Sequence, residues 1–223
     1  MNLRATVSGS GRTRVNLALH HFMAACRNAS RIRELELKHQ GEPFGEFWEE
    51  VLHCSLSVVT LSVATMESYA NEVLADSAAL PDSMNSQASE EIAAIVDRKP
   101  ILDKFRIALA LISGETLPKG GDVYRRAKLL IEVRNAVVHF RPEWFDSQAE
   151  HKKLSKKLAG EIAGSPFLGD EPHFPRAWAS SAFADWSLRT TVAYLDLFFT
   201  LAGVKNSLSE FKPRLSELAG LKL

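Results

Sequence analysis

The 223-residue chain predicts an all-α fold, a bundle of long antiparallel helices. Three observations lead there. Apolar residues recur at helical spacing over most of the chain, no segment of useful length alternates as a strand would, and Gly and Pro punctuate the pattern only in modest connectors. Repeats and low-complexity tracts are absent from the sequence. A single helical domain over residues 14–223 is the economical architecture, with 144–223 as a C-terminal extension of its core.

Each element follows from local signals. Residues 1–13 are small and polar, with Gly9 and Gly11, and are expected to be a flexible arm. Leu19, Phe22, Cys26, Ile32, Leu35 and Leu37 set a helical period from about Val15 to Lys38. Gly41-Glu42-Pro43 interrupts it, and Pro43 is placed to open a helix over about Phe44 to Ser77. Its stripe is Leu52, Leu56, Val59, Val63, Met66, Ala70 and Leu74. A polar connector, Pro81 to Ser89, leads to a short helix from Glu90 to Lys99, and Pro100 starts another from Ile101 to Ser113. Gly114 to Gly121 is a loop containing Pro118. Asp122 then suits the cap of a helix over about 122–141 that Pro142 closes. Residues 144–162 are expected to be helical and basic, with Lys152, Lys153, Lys156 and Lys157. Gly164 to Pro175 is expected to form an ordered loop. Ala179 to Val204 returns to helix through Phe183, Trp186, Leu188, Val192, Leu195, Phe198 and Phe199, and a last amphipathic piece ends the chain.

Composition narrows the function classes. The chain is 46% hydrophobic and 24% charged, with 27 basic and 27 acidic residues, so any anion site must be local and not a global field. Cys26 and Cys54 make no disulfide framework and are expected as small buried hydrophobes in a reducing, cytoplasmic setting. The N-terminus lacks an apolar signal core. The most apolar run, Val51 to Met66, is short for a bilayer span, so no membrane is expected. His20, His21, His53 and His173 lack metal-ligand spacing, and no phosphate loop, dinucleotide fingerprint, nucleophile elbow or zinc-finger spacing is present, so neither metal nor cofactor is expected.

The informative window is Leu129-Leu130-Ile131-Glu132-Val133-Arg134-Asn135-Ala136-Val137-Val138-His139-Phe140. Val123, Ala127, Leu130, Ile131, Val137 and Val138 mark an apolar face, and Arg134 falls near its centre. An unpaired charge there is costly, so Arg134 must meet a carboxylate, a subunit interface or a bound anion. Glu67, which flanks the stripe of the long helix, is the best candidate partner, and removing Arg134 is expected to cost several kcal/mol by stranding it. Five residues after Arg134 comes His139, a side chain that titrates near neutrality.

The pattern Arg134-Asn135-x-x-x-His139 at a helix end resembles the R-x4-H motif of the HEPN superfamily. The surrounding stretch, Lys128 to Trp144, is similar to the motif helix of bacterial HEPN-like proteins of unknown role. Pro166-Phe167-Leu168 and the region from Trp178 to Trp186 are similar to their C-terminal halves. The resemblance spans about residues 45–200. It implies a four-to-five-helix core, a homodimer and metal-independent RNA cleavage in a shared cleft, with Arg134, His139, Asn135 and Glu67 as the catalytic set. It also implies the settings of toxin–antitoxin pairs and phage defence, and hence a partner antitoxin. Arg141 departs from the branch paired with nucleotidyltransferase antitoxins, where a tyrosine stands two residues after the histidine.

The residues support part of this independently. Cleaving RNA without a metal needs a base on the 2′-OH, an acid on the leaving 5′-oxygen and positive charge for the phosphorane. His139 in a last helical turn suits the acid, and Arg134 offers a planar donor fork for phosphate. Residues five apart on a helix diverge by roughly 140°, so pairing two chains about a twofold axis would let each supply what the other lacks. Asn135, four residues before His139, can orient its ring or bind phosphate. Lys128, Arg141, Lys152 and Lys153 are weaker RNA-contact candidates. The competing reading is a non-catalytic helical module for RNA, nucleotide or a protein partner, in which Arg134 and Glu67 form only a structural ion pair and His139 only caps a helix.

Overall fold

The computed structural model describes residues 6–7, 13–42, 45–75, 86–144, 149–167 and 174–223. Among these the fold is all-α: α1 (Ala18–Lys38), α2 (Phe47–Leu74), α3 (Ser86–Asp97), α4 (Ile101–Ile112), α5 (Asp122–Val138), α6 (Ala149–Ala159), α7 (Ser181–Ala202) and α8 (Ser207–Ala219). One exception precedes them. Thr6–Val7 (β1) pairs antiparallel with Thr13–Arg14 (β2), a two-residue ladder too short for an alternating pattern to announce. The remainder of the expected N-terminal arm, together with Pro43, His173 and most of the connector that includes Pro81, lies outside the described residues.

The long helix α2 runs through the middle of the bundle, packing against α1, α4, α5 and α7, while α7 also meets α1, α4 and α5. This contact on several sides changes its expected stripe. Val51, Cys54, Val58, Val59, Val63, Met66, Tyr69, Ala70, Val73 and Leu74 are buried, whereas Leu52 and Leu56 are only half-buried. By length and apolarity α2 could also cross a bilayer, which revises the expectation drawn from its most apolar run. Half of that window is buried within the fold, as in a core helix. Two of its buried hydroxyls bond within the helix, Ser55 donating to the Val51 carbonyl (2.8 Å) and Thr65 to that of Leu61 (2.7 Å), while the buried Ser62 Oγ has no partner among the described residues. In α7, Ser187 and Thr191 donate likewise to the carbonyls of Phe183 and Ser187.

Charged side chains tie the helix ends. Glu36 of α1 accepts from the backbone N–H of Ser181 (2.7 Å) and from its hydroxyl, which places a carboxylate at the positive end of α7. Arg33 bonds Asp185 of α7 (2.6 Å) and the Ala219 carbonyl at the end of α8 (2.9 Å). Gly203 and Gly220 terminate α7 and α8 at φ 66° and 59°, a backbone conformation that glycine adopts without strain.

Several boundaries differ from expectation for local reasons. Val15 and Leu17 are exposed, and α1 begins only at Ala18. The stretch from Ser86 to Ser89 joins α3 instead of the connector. Gly121, in extended conformation, occupies the N-cap of α5, so Asp122 is the first helical residue and pairs with Arg125 (2.9 Å). α5 ends at Val138, three residues short of expectation, because Pro142 disfavours helical geometry for Arg141 and the chain leaves the helix before it. α6 covers Ala149–Ala159, a shorter span than expected.

Cys26 is fully buried, and burial pushes its thiol up to about 12, while the Cys54 thiol is also raised by desolvation. A raised thiol pKa removes the reactive thiolate. Both cysteines are therefore expected to resist a disulfide-exchange reagent at pH 8 in the native protein and to react at once in denaturant. Rapid native reaction of Cys26 would contradict this packing.

Candidate functional site

Arg134 sits on α5 facing α2, with its side chain 22% exposed and its Nη2 3.9 Å from Glu67 Oε2. The geometry is loose, and the buried Nε makes no hydrogen bond. The charge expected at the centre of the α5 face thus lies at its edge, and the deeper cation is one that the periodicity of α5 could not reveal. Lys104 of α4 is 1% exposed. Its ammonium donates to Asn71 Oδ1 (2.9 Å) and lies 3.5 Å from Glu67 Oε1 and 3.7 Å from Asp97 Oδ1. Glu67 therefore stands between two cations, and the cluster joins α2, α3, α4 and α5. A signal for it exists in the sequence: Ile101, Phe105, Ala108 and Leu109 are the buried stripe of α4, and Lys104 falls within it.

His139 occupies the C-cap of α5, at φ −106° and ψ 38°, with its backbone N–H on the Asn135 carbonyl at 2.9 Å. Departure from helical geometry there separates the ring from the Asn135 side chain. Both residues are exposed, and no hydrogen bond between their side chains is present among the described residues. The ring likewise donates to no carbonyl among the described residues. His139 instead lines a cleft of about 340 Å³ between the end of α5 and α6, together with Glu132, Arg141, Glu143, His151, Lys153 and Lys157. Arg134 and Glu67 do not line it. One chain brings Arg134 to Glu67 and His139 to this cleft, and does not bring the two pairs together.

Of the weaker candidates, Arg141 and Lys153 line the cleft, whereas Lys128 and Lys152 are exposed elsewhere on α5 and α6. Lys157 is neutralised by Glu132 at 2.7 Å. Arg141 makes no ion pair among the described residues, which leaves an uncompensated cation at a cleft that Glu132 and Glu143 also line.

His151 is a residue that the motif did not point to. It lies in the first turns of α6, 7% exposed, with Nδ1 3.2 Å from Glu143 Oε2. Its ring is parallel to Phe140 (5.2 Å, 3°) and to Phe174 (4.6 Å, 9°). The usable signal is periodicity: His151, Leu154 and Leu158 share the buried face of α6. No group of three or more His, Cys, Asp or Glu able to hold a metal occurs among the described residues.

No family model, curated protein or solved structure matches this chain.

The charge cluster revises the expected energetics. Glu67 is 42% exposed and keeps Lys104 when Arg134 is removed, so Arg134→Ala is expected to cost only about 1 kcal/mol, not several. Lys104→Ala removes a buried side chain from the α4 stripe and leaves a cavity there, while Glu67 keeps Arg134 and Asn71 and Asp97 face solvent, so it is expected to cost about 2–3 kcal/mol. Urea unfolding of both variants checks the order. A larger loss for Arg134→Ala would contradict the assignment of Lys104 as the central cation.

Proposed function

We propose that the protein binds RNA and cleaves it without a metal, by 2′-OH transesterification, in the cleft beside His139. This is the activity that the resemblance to the HEPN superfamily implies. The observation that carries the reading is the placement of His139. It is exposed at the C-terminal end of α5 and shares a cleft with Arg141 and Lys153. An imidazolium beside fixed cations can protonate a leaving 5′-oxygen while the neighbouring charge stabilises the phosphorane. Arg134 acts in this reading first as a positioning residue, holding α5 on α2 through Glu67. The proposal includes a homodimer, supported by the exposed apolar side chains of Val138 and Phe140 on either side of His139. A partner chain could then add its Arg134 to the cleft.

A second reading has one observation in its favour. Arg134 belongs to the charge cluster and lies apart from the cleft, as it would in a non-catalytic helical module that only binds RNA, nucleotide or protein.

The two readings separate on product chemistry. Under the first, His139→Ala folds and assembles like the parent but loses cleavage of single-stranded RNA by about a hundredfold or more. The parent releases 2′,3′-cyclic phosphate ends and keeps its activity in EDTA. If a partner's Arg134 completes the cleft, mixing Arg134→Ala with His139→Ala chains restores part of the cleavage. Equal RNA binding by parent and His139→Ala, with no cyclic phosphate from either, establishes the binding module instead.

A further inference from the structure

We infer that His151 is the second proton-transfer group of the same cleft, so that one chain holds both the acid and the base. The inference rests on the RNA-cleaving reading above and changes what that reading requires of the dimer. His139 and His151 approach one cleft of about 340 Å³ from two elements, the end of α5 and the start of α6. Their surroundings differ in the way that opposite roles demand. His139 is exposed at the end of α5, open to the leaving group. His151 is fixed: the Glu143 carboxylate lies 3.2 Å from its Nδ1, and parallel Phe140 and Phe174 rings set its plane. Glu143 Oε2 is buried and makes no hydrogen bond in this geometry among the described residues, so a small turn of the ring brings Nδ1–H onto it and leaves Nε2 to accept a proton. Nε2 makes no hydrogen bond among the described residues.

The step balances within this set. His151 Nε2 takes the proton of the ribose 2′-OH as the 2′-oxygen bonds to phosphorus. The bond from phosphorus to the 5′-oxygen breaks, and His139 gives its proton to that oxygen. The products are a 2′,3′-cyclic phosphate and a free 5′-hydroxyl, with His151 protonated and His139 neutral. Arg141 and Lys153 meet the charge on the phosphorane. Glu143 is a positioning residue that acts through His151.

The test is His151→Phe, which keeps an aromatic ring beside Phe140 and Phe174. This variant is expected to melt near the parent and to bind a non-cleavable 2′-O-methyl oligoribonucleotide within about threefold, yet to lose cleavage by about a hundredfold or more. Should the phenylalanine variant fail to fold, His151→Gln gives the same readout. Glu143→Gln is expected to lower kcat about tenfold with KM unchanged. Mixing His139→Ala with His151→Phe chains is expected to restore nothing, since both groups must come from one chain. Cleavage by the His151 variants at the parent's rate, or restoration on mixing, overturns the inference while leaving the RNA-cleaving reading intact. A parent that yields no cyclic phosphate removes that reading and the inference together.

Discussion

A lysine ammonium inside the helical bundle is the constraint on which the rest of the structure depends. Lys104 cannot stay charged in the core without acceptors, and Asn71, Glu67 and Asp97 supply them. Those acceptors fix α4 and the end of α3 against α2. Glu67 is shared, and its second oxygen lies 3.9 Å from Arg134 at the edge of α5, whose rotation is set by the burial of Ala127, Leu130 and Val133. A helix rotated otherwise would present a different side chain at its terminus.

The second half of the site depends on the path of the chain beyond α5. Pro142 forces the chain out of the helix, and α6 returns beside α5, held by Lys157 on Glu132. This return carries His151 to the cleft where His139 already lies. An aromatic series then links the cleft to the core: His151 stacks on Phe174, Phe174 meets Trp178, and Trp178 meets Phe183 of α7. The wall of the cleft that carries His151 is therefore anchored in a deeply buried helix of the fold, whereas His139 stands exposed on the other side. Arg141 supplies a local cation at the cleft in a chain whose formal charges cancel.

The helical fold was legible because periodicity reports burial, and most helix cores came directly from it. Boundaries were less so. Gly121, not Asp122, caps α5, since extended backbone at the cap depends on the turn from Pro118 and not on side-chain type alone. Arg134 and Glu67 were paired correctly from the rule that a charge on an apolar face needs a partner. The same rule applied to Lys104 would have found the deeper cation. His151 and Glu143 were harder to see. Their association depends on the path from Pro142 into α6, a tertiary matter that periodicity in either segment cannot report. The expected contact between Asn135 and His139 failed because i to i+4 reasoning assumes helix, and His139 has already left it.

The central claim is that the cleft beside His139 receives an RNA phosphodiester between two imidazoles. Its most direct test is a histidine-ring NMR titration with a 2′-O-methyl oligoribonucleotide, which binds but cannot be cleaved. The account predicts that the His139 and His151 ring signals shift together and saturate at one concentration, while His20 and His21 of α1 stay fixed. Binding that leaves both cleft imidazoles unmoved would contradict it.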